Sequence, residues 1–175
     1  MPIAAPERIW WKPLSRAERV WVVTGVSFLL LLSVSMPIWH AYGAADNPEI
    51  SYRISPEEFA RVAQDFIRRY QVGTYKGIPV VRPPAGASAY LIAQRFQWSP
   101  ILELKKGETY HIYLSATDVQ HGLSLQPVNM NFQVVPGYAS LLTLTPTEAG
   151  VYTILCNQYC GVGHHLMAGR VIVKE

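Results

Sequence analysis

Both cysteines of this 175-residue chain lie near its C-terminus, in the stretch Cys156-Asn157-Gln158-Tyr159-Cys160-Gly161-Val162-Gly163-His164-His165-Leu166-Met167. Thiolate, imidazole and thioether at such short range form a soft-to-borderline donor set, which favours copper over magnesium, calcium or manganese. Three chemistries compete for the cysteines. A disulfide suits an oxidising compartment, yet closing so short a loop stabilises by only about 2 kcal/mol on the chain-entropy model. It also leaves His164 and Met167 without a role. A structural zinc site of two Cys and two His has little use for a thioether, and the cysteine–histidine spacings depart from common finger patterns. Haem attachment through Cys-x-x-Cys-His is excluded, because that motif is absent. The third chemistry is electron transfer by copper. A single-copper site takes two His, one Cys and a weak axial Met. A second thiolate lets two sulfurs bridge two coppers, and each copper then needs one imidazole. His164 supplies one; the other must come from elsewhere in the chain.

The remaining histidines are few. His40 stands at the end of an apolar run, His111 lies between Tyr110 and Ile112 in a strand-like segment, and His165 follows His164 directly and so points another way. His121, in the turn-like Asp118-Val119-Gln120-His121-Gly122, is the best remaining candidate. A lone loop histidine is by itself a weak signal.

The elements that must position these side chains are short strands. From Ala89 onward the expected strands are Tyr90–Trp98, Ile101–Leu104, Thr109–Ser115, Leu123–Leu125, Asn131–Val134, Ala139–Leu144, Gly150–Leu155 and Ala168–Val173, with turn signals at Lys106-Gly107, Pro136-Gly137 and Thr145-Pro146. Strands at this spacing without alternating helices indicate an antiparallel sandwich or barrel. The donor stretch joins the last two strands. Upstream, Ser55-Pro56-Glu57-Glu58 reads as a helix start, and Phe59, Val62, Phe66 and Tyr70 recur at helical spacing to about Gln71. Gly73 to Ser88, rich in Pro and Gly, reads as linker.

Val20 to Trp39 carries no charge over twenty residues, enough for a helix to cross a hydrocarbon core of roughly 30 Å. Trp10, Trp11 and Trp21 at one end and Trp39 and Tyr42 at the other are placed as interface anchors, and Pro37 falls in the last turn. A cleaved signal peptide is the competing reading, because Ala41-Tyr-Gly-Ala-Ala45 resembles a cleavage site. The apolar run exceeds the usual signal core, so a retained anchor is expected. Arg8, Lys12, Arg16 and Arg19 precede the span, and Asp46 and Glu49 follow it. The positive-inside bias therefore puts the N-terminus in the cytoplasm and the rest outside, with membrane lipid as a partner. The expected organisation is anchor 1–42, linker 43–88 with its helix, and outer domain 89–175. Half of the residues are apolar and only 15% charged, which excludes a disordered chain. From residue 87 onward five basic residues balance five acidic ones, so there is no basic stripe for nucleic acid.

Residues 89–175 resemble the CuA domain of cytochrome c oxidase subunit II. The motif Cys-x-[Glu/Gln]-x-Cys-x-x-x-His-x-x-Met is matched without a gap, and Asp-Val-x-His matches the upstream ligand segment. Ala89–Pro100, Val134-Val135-Pro136-Gly137 and the ending Gly169-Arg-Val-Ile-Val-Lys-Glu175 fit too. The single span, Cys-Asn-Gln-Tyr-Cys, and Tyr138 where many relatives carry Arg make the chain most similar to the short subunit II of ba3-type (B-family) oxidases. The resemblance implies a cupredoxin-like Greek-key domain holding a binuclear CuA centre. It implies Cys156 and Cys160 as bridging thiolates, His121 and His164 as terminal imidazoles, Met167 as a weak ligand to one copper and the Gln158 carbonyl as a weak ligand to the other. Many relatives carry Glu at the Gln158 position, where it also reaches a magnesium ion; Gln is a poor ligand for a hard cation, so no magnesium site is expected. The implied role is to accept electrons from a periplasmic donor such as cytochrome c and pass them to haem in subunit I, where oxygen is reduced and protons are pumped. Asp118 and Gln120 are candidates to support the ligands, a plain turn role being equally open to Asp118; Phe96, Trp98, Tyr159 and Leu166 are candidates for an apolar docking patch, although core packing is the commoner fate of such side chains. The alternatives are a membrane-tethered copper delivery protein, or the CuA subunit of a nitric oxide or nitrous oxide reductase.

Overall fold

A computed structural model describes residues 13–42, 50–128 and 130–175. The chain divides into two compact units, Met1–Ala45 and Asp46–Glu175. The first holds helix α1 (Arg16–Tyr42), which runs through Pro37 and buries none of its residues within the chain. Ser15 and Glu18 form a reciprocal capping box at its start: Ser15 Oγ accepts from the Glu18 N–H at 3.2 Å, and Glu18 Oε2 accepts from the Ser15 N–H at 2.7 Å. At about 1.5 Å per residue, its 27 residues with a mean hydropathy of 2.0 in the most apolar window are long and apolar enough to cross a membrane. Trp10, Trp11, Arg8, Lys12, Asp46 and Glu49, invoked above as anchors and orienting charges, lie outside the described residues, as does most of the cleavage-like Ala41–Ala45 stretch.

The second unit is a two-sheet β-sandwich with one helix. Its elements in order are β1 (Ser51–Arg53), α2 (Pro56–Tyr70), β2 (Gln71–Tyr75), β3 (Ile78–Val81), β4 (Ser88–Gln94), β5 (Gln97–Ser99), β6 (Ile101–Lys105), β7 (Tyr110–Ala116), β8 (His121–Gln126), β9 (Met130–Val134), β10 (Tyr138–Leu144), β11 (Gly150–Cys156) and β12 (Ala168–Lys174). One sheet has the order β1-β10-β7-β4-β5 and the other β2-β3-β6-β12-β11-β8-β9. Alternation sends one face of each strand inward. Tyr110, Ile112 and Leu114 of β7 are buried while His111 and Tyr113 are only partly covered. Leu91, Leu102, Leu123 and Ile154 complete the dry layer between the sheets.

Three expectations need correcting. The sheets are mixed rather than purely antiparallel, because β4 pairs with β7, and β6 pairs with both β3 and β12, in parallel. Tyr90–Trp98 is two strands, β4 and β5, folded back on each other with Gln94 opposite Gln97. The linker assigned to 43–88 is, from residue 51, part of the sandwich. β1 pairs with β10, and β2 and β3 form a hairpin through Lys76-Gly77 that adds to β6. Proline and glycine mark that hairpin's turn and the edge of the sheet, where a missing N–H is tolerated, as much as they mark a loop.

The expected helix is present, with Ser55 Oγ accepting from the Glu58 N–H at 3.1 Å and Pro56 in the first turn. Its apolar stripe, Phe59, Ala63, Phe66 and Ile67, is buried against the sandwich. Phe59 and Phe66 meet the Tyr90 ring edge-on at 5.9 and 5.7 Å between centroids. At roughly 1.5–3 kcal/mol per large apolar side chain, this stripe fixes the helix to β4 more firmly than its own propensity does.

Candidate metal centre

Strand pairing brings the two distant halves of the donor set together. β11 ends at Cys156 and β8 begins at His121; the two strands are antiparallel neighbours with Cys156 opposite Leu123. β12 starts at Ala168, opposite Leu155, so residues 157–167 leave and re-enter the sheet at one place. The loop is closed at its base by the Cys156 N–H, which donates to the Met167 carbonyl at 3.2 Å. It is held down on β8 by the Asn157 N–H, which donates to the Gly122 carbonyl at 3.0 Å. Gly122 is required by closeness: a Cβ there would lie 1.9 Å from Asn157 Oδ1 and 3.0 Å from the Gln158 backbone nitrogen. Its place beside His121 in the sequence is a signal that the motif reading passed over.

All six expected residues meet at this end of the sandwich, in two matching halves. In one, His121 Nδ1 lies 3.8 Å from Cys156 Sγ, and the Gln158 carbonyl oxygen is 3.2 Å from the same sulfur. In the other, His164 Nδ1 lies 3.6 Å from Cys160 Sγ, and Met167 Sδ is 3.8 Å from that sulfur. The two sulfurs are 3.9 Å apart. Both cysteines are free thiols, since a disulfide needs about 2.05 Å. That removes the disulfide alternative. His121, Cys156, Cys160 and Met167 are all buried. Each sulfur–imidazole gap accommodates an ion at bond lengths of roughly 2.3 Å to sulfur and 2.0 Å to nitrogen. The adjoining thioether and carbonyl are weak donors that copper electron-transfer sites use and structural zinc does not. The residues present therefore fit copper.

The two imidazoles are supported differently. His121 Nε2 is 2.9 Å from Asp118 Oδ1, which leaves Nδ1 to face the sulfur. A carboxylate behind a ligating imidazole fixes its tautomer and orientation. Asp118 is itself held: Oδ1 also accepts from the Val119 N–H at 2.7 Å and Oδ2 from the Arg95 N–H at 2.8 Å. Burial pushes its carboxyl up, but the hydrogen bonds from His121, Arg95 and Val119 outweigh burial and hold it below the ordinary carboxylate range. Asp118 thus takes the supporting role, behind His121, while Gln120 is exposed. His164 sits in a short 3-10 turn, His164–Leu166, with the Tyr159 ring at 5.9 Å. Burial, then the hydrogen bond and charge of Cys156 and the charge of Asp118, push the Cys160 thiol up to about 11. Metal loading must displace that proton.

The other histidines take structural or solvent positions. His111 Nδ1 is 3.3 Å from Thr143 Oγ1, across the β7–β10 pair. His165 is exposed, as is His40 within α1. Of the aromatic patch candidates, Trp98 is buried and lies edge-on to His121 at 6.3 Å, so it screens the ligand and forms no surface. Tyr159 and Leu166 are 77% and 71% exposed, and Val162, which the motif reading did not single out, is 88% exposed.

A β-sandwich with a thiol–imidazole–thioether cluster at one end is a cupredoxin-like domain with a candidate copper site. Residues 100–174 match the family model for cytochrome C oxidase subunit II, periplasmic domain. A cytochrome c oxidase subunit 2 from Thermus thermophilus is 37% identical over 93 residues, which cover 53% of this chain and 69% of that protein. The chain belongs to the cytochrome c oxidase subunit II family, and its likeness to the Thermus protein agrees with a ba3-like form. An alternative cytochrome c oxidase subunit 2 from Bradyrhizobium diazoefficiens is 24% identical over 176 residues, covering 94% of this chain and 58% of that protein. A chain of a heme-copper terminal oxidase dimer solved by cryo-EM superposes with a TM-score of 0.57 at 22% identity, covering 91% of this chain and all of that one. At that identity the likeness speaks for the fold.

Proposed function

We propose that the chain accepts electrons from a periplasmic donor of the cytochrome c type and delivers them to haem in subunit I of a haem-copper oxidase, where oxygen is reduced with proton pumping. The observation that carries this reading is the twofold pattern of the donor set, in which each thiol has its own imidazole and one further weak donor. Cys156 and Cys160 would hold the copper through their sulfurs, His121 and His164 through their imidazoles, and Met167 and the Gln158 carbonyl would add weaker donors. When bound, the copper pair supplies a one-electron carrier whose charge is shared over two ions. The protein's part is rigidity. β8 and β11 hold His121 and Cys156 in register, β11 and β12 close the loop that carries the other donors, and burial of His121, Cys156, Cys160 and Met167 limits reorganisation of water at the site. Oxygen chemistry resides in subunit I. In this reading α1 anchors the domain outside the membrane, with the N-terminus in the cytoplasm.

The exposed trio Tyr159, Val162 and Leu166 lies in the donor loop itself and supports docking through apolar contact. The balanced charge from residue 87 onward implies that donor association depends weakly on salt. A steep loss of electron-transfer rate between low and high ionic strength sinks that part. The decisive test of the whole reading is spectroscopic. The copper-loaded chain is expected to be coloured, with paramagnetic coupling to two copper nuclei, and to co-purify with a haem-bearing large subunit. Colourless, readily exchanging Cu(I) indicates a copper carrier instead.

A further inference from the structure

The turn between β4 and β5, at Arg95-Phe96, touches the supports of both histidines. Phe96 lies against the ligand loop at the two glycines that precede His164. A Cβ on Gly163 would stand 2.5, 2.6 and 2.8 Å from Phe96 Cδ2, Cε2 and Cγ, and one on Gly161 would stand 3.3 Å from Phe96 Cε1 and Cζ. Gly161 has φ +134°, so its backbone also favours glycine. Gly163 does not: φ −88° and ψ 9° are open to other residues. The reason for a missing side chain at 163 is therefore the Phe96 ring. From the same turn, the Arg95 N–H donates to Asp118 Oδ2, while Asp118 Oδ1 holds His121 Nε2. The Arg95 guanidinium adds only a half-exposed contact, Nε lying 3.6 Å from Asp118 Oδ2.

We propose that the Arg95-Phe96 turn is a positioning element common to both halves of the metal centre. Its aromatic ring seats Gly161–Gly163 and so aims His164, while its main-chain N–H fixes Asp118 and so aims His121. The turn acts as one staple across two ligands that lie 43 positions apart in the sequence. The staple rests on the copper-site reading above, though on no particular number of coppers.

The test is a double-mutant cycle on the full chain loaded with copper, read as the rate of copper loss to a chelator. Gly163→Ala is expected to speed loss roughly tenfold, the lower end of the range for disturbing a ligand's support. Phe96→Ala does the same for the opposite reason, by leaving the loop unseated. With the ring gone, a methyl group at position 163 has room. Gly163→Ala in the Phe96→Ala background therefore adds no more than about twofold. Multiplicative effects of the two changes overturn the seating contact. The second arm is read from the imidazole resonances of the loaded protein. Phe96→Ala is expected to shift those of both His121 and His164, and a shift confined to His164 overturns the shared role. Should any variant fail to fold, Phe96→Leu with Gly163→Ala gives an intermediate rescue to measure. The two readings fail separately. A wild-type spectrum from a single copper nucleus with the cycle still coupled removes the binuclear centre and leaves the staple. Coupling to two nuclei with independent effects does the reverse.

Discussion

The two histidine-bearing regions meet at one site but are built on opposite principles. His121 opens a strand in the interior, with no exposure, a carboxylate behind it and Trp98 against its edge. His164 rides on a three-residue turn in a loop whose neighbours Tyr159, Val162 and Leu166 stand in solvent. One side is built to hold and the other to be reached. The proposed electron carrier needs both properties, because rigidity keeps reorganisation small while transfer requires a partner to approach closely.

The sharpest break removes what the halves share. Cys160→Ser is expected to abolish the two-copper spectrum, since that sulfur faces His164, Met167 and Cys156 at once; survival of the spectrum refutes the bridging role. Next comes the holding side. Asp118→Asn keeps the shape but weakens the support of His121, and copper loss to a chelator should quicken roughly 10- to 100-fold. Leu166→Ala with Val162→Ala probes the reached side. The spectrum should stay unchanged while the apparent affinity for the donor falls by about tenfold, on the order of one buried side chain. A changed spectrum with unchanged affinity inverts the comparison.

Two smaller effects sharpen it. In the metal-free domain the folded state holds the Cys160 proton up to about 11, whereas an unfolded cysteine releases it near 9.0. Stability should therefore fall as pH rises through that interval, because the unfolded chain has then lost a proton that the folded chain retains. The denaturant midpoint of the wild type should fall more steeply across that interval than that of Cys160→Ser, which lacks the thiol, and parallel curves remove the effect. Smallest of all is Arg95→Ala. The bond to Asp118 is made by the main chain, so copper retention should change by less than about twofold, as an exposed ion pair would suggest.

Much of the site was legible because its chemistry is local. The spacing of Cys156, Cys160, His164 and Met167 names the donors within one loop, and the Ser55-Pro56 start and the Phe59–Tyr70 stripe name α2. Other features were not legible, because pairing between distant strands decides them. The His121 segment reads as a turn, yet His121 is the first residue of β8, placed by its register against β11. Core packing is the expected fate of an aromatic such as Trp98, but its place against His121 is set by the fold. The Gly73–Ser88 stretch reads as linker because a short edge hairpin and a loop use the same turn residues.

A soft donor set within one loop and the presence of an apolar helix both follow from residue types and their order, because donor softness and hydropathy are properties of residues. Folding alone settles that the Cys156 sulfur meets the His121 imidazole, that the Arg95 N–H holds Asp118, and that Phe96 fills the space left by Gly163. Those are distances between residues far apart in the chain, and they exist only once two sheets have closed on a common core.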